Sequence, residues 1–146
     1  MYDYIMQVTA TQVRPFSWGF AEYLYMSSDV TVKNLHFKKG GYTSYHYHRR
    51  RMELLHVVSG IFKIYTLDQM KENVRESVVV PGNKIAIYPG EAHQIVAEED
   101  GILTETSEEY SEYDTVRIIK NSIVNTLPVD SLKGTNKGQP FFPGKE

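Results

Sequence analysis

Four side chains stand out for the chemistry they can share: His46, His48, Glu53 and His93. His46 and His48 lie two apart in YTSYHYH, a run rich in tyrosine. In a β-strand alternate residues point the same way, so both imidazoles leave one face of one strand. Imidazole is a common ligand for transition metals, and two from one strand can grip the same ion. Glu53 follows across RRRM and can return a carboxylate from the next strand. His93 opens another strand after the Pro-Gly turn in YPGEAHQI. Three imidazoles and a carboxylate can close around an ion and leave positions open, as a catalytic metal requires. The competing arrangement is the same residues hydrogen-bonded to one another without an ion. The pair spacing alone leaves both open.

The elements that must carry these residues are short strands. Runs of Val, Ile, Thr, Tyr and Phe recur as YIMQVTAT, FAEYLYM, DVTVKNLHF, YTSYHYH, ELLHVVS, IFKIYTL, ESVVV, KIAIYP, HQIVAE, ILTETS and DTVRII. Between them lie KKGG, SG, VPGN, YPGEA and EEDG, where glycine supplies positive φ and proline stops a ladder. This rhythm predicts an all-β barrel or sandwich. In LDQMKENVRESV, Leu67, Met70 and Val74 have helical spacing, but the stretch reads as an exposed loop with at most one helical turn, inside a hairpin starting at Ile61. One domain over residues 1–126 is expected, followed by an irregular tail over 127–146 that Phe141 and Phe142 can pin down.

The wider spacing around the histidines carries a resemblance. Gly40, five residues, His46, one residue, His48, four residues, Glu53, six residues and Gly60 reproduce the first motif of the cupin superfamily. The second motif follows as Gly82, five residues, Tyr88 in place of the usual proline, Gly90, two residues and His93, with Ala97 where asparagine is frequent. The departures spare the ligand positions. The resemblance spans roughly residues 30 to 107. It implies a jelly-roll barrel (a double-stranded β-helix) in one domain. Its cofactor would be one divalent transition metal on His46, His48, Glu53 and His93, with Fe, Mn, Ni, Co and Zn all compatible. A homodimer is implied too, with MYDYIMQVTA as the expected pairing element.

Two flanking stretches narrow the resemblance. Glu105, Ser107, Asp114, Val116 and Arg117 look like the close of the mannose-6-phosphate isomerase-like cupins. Arg14, Pro15, Trp18 and Gly19 resemble their opening, with Phe16 and Ser17 inserted. The bacterial phosphomannose isomerase domains have a shorter gap between the second histidine and the glutamate. The implied activity is metal-dependent aldose–ketose isomerisation of a sugar or sugar phosphate. An Fe(II)-dependent cupin dioxygenase and a non-catalytic metal- or sugar-binding cupin are the alternatives.

An isomerase needs a base near the migrating proton. Leu103, Glu105 and Ser107 share one strand face, so Glu105 is the candidate if that face looks inward, and a solvated carboxylate if it does not. Ser44 shares the histidine face and can touch substrate. His36, on the face of Val32 and Asn34, can line the pocket if that face looks in. Lys33, Lys38, Lys39 and Arg49 to Arg51 are candidate anion binders, with Lys33 and Arg50 preferred; guanidinium suits phosphate. Tyr45 and Tyr47 face away from the histidines and are expected to pack between sheets. His56 points away from Glu53 and reads as structural.

Composition excludes several classes. Net charge is −2 over 146 residues, which gives general nucleic-acid binding no support. There is no cysteine, so neither disulfides nor thiolate metal sites arise. No apolar run approaches a membrane span, and the N-terminus lacks a basic region followed by an apolar one. The expectation is a cytoplasmic protein with a small-molecule substrate, a carbohydrate, and with neither a nucleic-acid nor a membrane partner.

Overall fold

The computed structural model describes residues 12–68, 72–108 and 112–133. Eleven strands follow in order: β1 (Gln12–Phe16), β2 (Gly19–Met26), β3 (Val30–Phe37), β4 (Tyr45–His48), β5 (Glu53–Ser59), β6 (Phe62–Asp68), β7 (Asn73–Val79), β8 (Lys84–Ile87), β9 (His93–Ala97), β10 (Gly101–Glu108) and β11 (Thr115–Ile119). They form two sheets. The six-stranded sheet has the order β1-β2-β3-β10-β5-β8, and the five-stranded sheet β11-β4-β9-β6-β7. All pairings are antiparallel, as expected for connections of a few residues.

Strand parity sets what faces the interior. On β3, Thr31, Lys33, Leu35 and Phe37 are buried while Val32, Asn34 and His36 are half-exposed. On β10 the buried set is Gly101, Leu103, Glu105 and Ser107. Registers align these sets: Leu103 lies opposite Leu35 and Val57, and Ser107 opposite Glu53. The apolar members gather at one end of the barrel, where Leu55, Val57, Phe62 and Leu103 are fully buried. Each such side chain contributes about 1.5–3 kcal/mol of transfer free energy. Trp18 stacks between Phe16 and Phe37 at centroid distances of 4.7 and 4.3 Å and continues this core towards the cavity.

Turn glycines hold the corners. Gly60, between β5 and β6, has φ of +83°, and a Cβ there would lie 2.7 Å from the Asp100 carbonyl oxygen. Gly19, at the start of β2, has φ of +149°, and a Cβ would collide with the carbonyl oxygen of His36.

Four expectations change. QVRPF, not read as a strand, forms β1; its proline is tolerated because β1 is an edge. The segment read as a loop is largely ladder: β6 and β7 pair from Phe62↔Val79 to Asp68↔Asn73, with Met70 outside the described residues. Helical spacing of Leu67 and Val74 arises because the two sit opposite each other across a hairpin. The first part of the tail read as irregular carries a short helix, α1 (Val129–Lys133), with Leu132 fully buried. Phe141, Phe142 and the MYDYIMQVTA segment lie outside the described residues. Finally, Tyr45 and Tyr47 are buried, but Tyr45 packs with Tyr65, Val96, Val124 and Leu132 in a second core. That core lies on the outer face of the five-stranded sheet, beneath the C-terminal segment, because the histidines take the inner face. Gln94 fastens that segment: its carboxamide donates to the carbonyls of Thr43 and Ser122 at 2.8 and 2.9 Å and accepts from the Val124 N–H at 3.0 Å.

Candidate metal centre

β4 and β9 are neighbours, with His46 directly opposite His93, and His48 is two residues along on the same face. The three rings form one cluster, with centroids 4.6 to 5.7 Å apart. One ring nitrogen from each lies within 4.8 Å of the others. Glu53 reaches across from the opposite sheet. Its Oε1 is 3.0 Å from His48 Nε2 and 3.4 Å from His93 Nε2.

The other ring nitrogens fix the orientation. His46 Nδ1 lies 2.8 Å from the Ser44 carbonyl oxygen, and His93 Nδ1 lies 2.9 Å from that of Glu91. A carbonyl only accepts, so each Nδ1 carries the proton and donates it. His48 Nδ1 is held 3.1 Å from Thr115 Oγ1. In the neutral ring of His46, Nε2 therefore presents a lone pair inward; His93 Nε2 faces a carboxylate oxygen, and without a metal it carries a second proton and donates to Glu53. Lone pairs and a negative charge converging in a buried space require a cation between them, either a proton or a metal. The donor set fits a divalent transition metal.

Electrostatics agree. Burial, reinforced by His93 and His48, pushes the His46 imidazole well below its usual range, so it is neutral. Burial lowers His48 as well, against the hydrogen bond and charge of Glu53. Burial also opposes charge on His93, but the hydrogen bond and charge of Glu53 outweigh it and raise that ring. Glu53 is buried, yet hydrogen bonds from His48 and His93 hold it well below the carboxylate range.

The cluster forms the floor of a cavity of about 360 Å³. Ser44 lines it and places Oγ 3.0 Å from His46 Nδ1. Glu105 faces in, because the Leu103–Glu105–Ser107 face is the buried one, and its Oε2 lies 3.1 Å from Lys33 Nζ. Burial, with Glu53 beside it, lifts the Glu105 carboxyl to about 7, against the pull of Lys33. Burial opposes the charge on Lys33, and Glu105 more than restores it. Arg14, Arg51, Arg117 and Lys120 complete a basic lining.

Two of the preferred residues, His36 and Arg50, are elsewhere, and the further candidates Lys38, Lys39 and Arg49 are exposed and do not line the metal cavity. His36 points out of the barrel: Leu35 and Phe37 take the inner face of β3, so their neighbour turns outward. There it stacks on Phe20 at 4.3 Å and pairs with Glu22 at 3.1 Å. Arg50 is exposed and does not line the metal cavity; Arg51 does, 6% exposed, with a guanidinium nitrogen 3.5 Å from His48 Nε2. The signal for Arg51 was available in the parity of Glu53, Leu55 and Val57 extended two residues back. Arg14 and Lys120 carried no comparable signal, since each reaches the cavity from a segment remote from the histidines.

No protein-family model and no curated protein matches the chain. Solved structures do. KdgF from Halomonas sp. matches with a TM-score of 0.57 at 18% identity, over 64% of this chain and 81% of that one. A cupin described as RmlC-like, from Shewanella frigidimarina, matches with a TM-score of 0.59 at 21% identity, over 70% and 87%. Oxalate decarboxylase from Bacillus subtilis matches with a TM-score of 0.62 at 22% identity, over 74% of this chain and 30% of that larger one. The fold is therefore that of the cupins, all-β and in a single domain. Among the described residues, no helix is long and apolar enough to cross a membrane.

Proposed function

We propose that this chain is a metal-dependent isomerase acting on a small anionic sugar, a sugar phosphate in the first instance. The observation behind this reading is the cavity: a three-histidine cluster on its floor, a buried carboxyl beside it, and basic side chains around the rest. His46, His48 and His93 hold the ion, with Glu53 as the fourth ligand. When bound, the ion supplies a Lewis acid that stabilises negative charge developing on adjacent substrate oxygens. The metal is one of Fe, Mn, Ni, Co or Zn.

Glu105 is the proton carrier. Its carboxylate takes the proton from one carbon of the C1–C2 pair and returns it to the other, which needs an approach of about 3 Å, while the hydroxyl proton of one of the two oxygens passes to the other, so that substrate and product differ only in where the two protons sit. Lys33 orients Glu105 through the ion pair at 3.1 Å. Arg14, Arg117 and Lys120 bind the anionic end of the substrate, and Ser44 donates to a hydroxyl. Water is limited by the aromatic wall of Phe16 and Trp18.

The test is exchange of the C2 proton of aldose phosphates in deuterated water by metal-loaded protein, followed by NMR. Exchange that is lost in Glu105→Gln while metal content stays normal supports the reading. Substrate-dependent oxygen uptake by the iron form, without exchange, replaces it with the dioxygenase.

A further inference from the structure

Arg51 belongs to the metal cavity, which leaves Arg49 and Arg50 without a role there. Asp114 fixes all three. The N–H of Arg49 donates to its carbonyl at 2.8 Å, and those of Arg50 and Arg51 to its carboxylate oxygens at 2.8 and 3.2 Å. A connection held at three successive amides is a built turn. It sends Arg51 inward and leaves Arg49 and Arg50 exposed.

The outward side chains line a second cavity of about 720 Å³, with Ser28, Asp29, Arg51, Glu108, Tyr113 and Asp114. Two of its three acids, Asp114 and Glu108, already accept main-chain N–H groups; among the described residues the third, Asp29, has no such bond to its carboxylate. Both Asp114 oxygens accept main-chain N–H groups, and Glu108 Oε1 accepts that of Met52 at 2.9 Å. Among the described residues, neither the Arg49 nor the Arg50 guanidinium has an ion-pair or hydrogen-bond partner. Tyr113, at the same cavity, is 94% exposed, an aromatic surface that nothing among the described residues covers. Two forked donors and an exposed ring on one concave surface have the chemistry to hold a phosphate carried on a flat organic group.

We propose that this outer cavity is a second binding site, taking the phosphate of a small phosphorylated molecule between Arg49 and Arg50, with its organic portion against Tyr113. Arg51 lines both cavities, so the two sites share a wall.

The experiment is a titration of the full chain with phenyl phosphate, followed by the amide resonances of isotope-labelled protein. Saturable shifts are expected at Asp29, Arg49, Arg50, Tyr113 and Asp114. Arg49→Ala with Arg50→Ala should weaken binding at least about tenfold, as loss of charge-assisted bonds does, with metal content unchanged. Tyr113→Ala should weaken it by a smaller factor. Both variants alter exposed side chains, and their folds are checked by the unperturbed amide spectrum. Shifts that do not saturate, that survive the double substitution, or that fall only on cavity amides such as those of His46 and Arg117 overturn the proposal.

Discussion

The two ends of the barrel interior are carried by the same strands and have opposite contents. β3 runs from Phe37 and Leu35 to Lys33 and Thr31; β10 from Leu103 to Glu105 and Ser107; β9 from Ala97 and Ile95 to His93. On β5, Val57 and Leu55 lead to Glu53, with Arg51 just beyond. One end buries apolar surface and stabilises the fold. The other buries charges that have given up water, which is costly unless each is well paired. The contrast separates the residues that hold the barrel together from those that make it useful.

The largest effect that would break this contrast lies in the apolar end. Leu103→Ala is expected to cost about 2–5 kcal/mol, read by urea denaturation of metal-free protein. A cost near zero would mean that the core is not where the strands place it. Next comes the ion. A saturating divalent metal, at a hundred times its dissociation constant, should stabilise the wild type by about 2.7 kcal/mol. Thermal denaturation with and without chelator reads this gain, and His46→Ala with His48→Ala should abolish both the gain and the bound metal. A smaller effect, of opposite sign to the first, is expected at Glu105. Replacing it by leucine together with Lys33→Met, which removes both members of the buried ion pair, should leave the metal-free fold as stable or stabilise it by about 1–3 kcal/mol, since a buried ion pair is often poorer than apolar packing. A loss beyond that of Leu103→Ala would make the pair structural. The smallest effect belongs to the outer core: Tyr45 Oη is buried and has no hydrogen-bond partner among the described residues. Tyr45→Phe removes that unpaired hydroxyl and should therefore stabilise the fold slightly, by about 1 kcal/mol, in the same denaturation experiment.

Much of this contrast can be read from residues alone, and the failures have physical causes. Parity placed His46 and His48 together because the period of a strand is fixed. It did not say which face looks inward, and so His36 was matched to the pocket although Leu35 and Phe37 mark the other face as the buried one. Parity carried back from Glu53 points to Arg51 rather than Arg50 as the inward arginine, but the turn that fixes the pair is out of reach of the sequence, since Asp114 lies 64 and 63 positions away. β1 was hidden by Pro15, which an edge strand accepts and an interior strand does not. Helix α1 has too few residues for a periodic signal and is held by the burial of Leu132.

The position of β10 has a consequence for how the chain is made. It lies between β3 and β5, pairing with both, although it follows them in sequence by more than forty residues. As the chain leaves the ribosome, β3 and β5 have no partner on those edges until residue 108 has emerged. Their alignment therefore waits on a late strand, and the polar chamber closes only after the last of its wall has been synthesised. Sequence-distant pairing of this kind slows folding and leaves two open edges in the nascent chain.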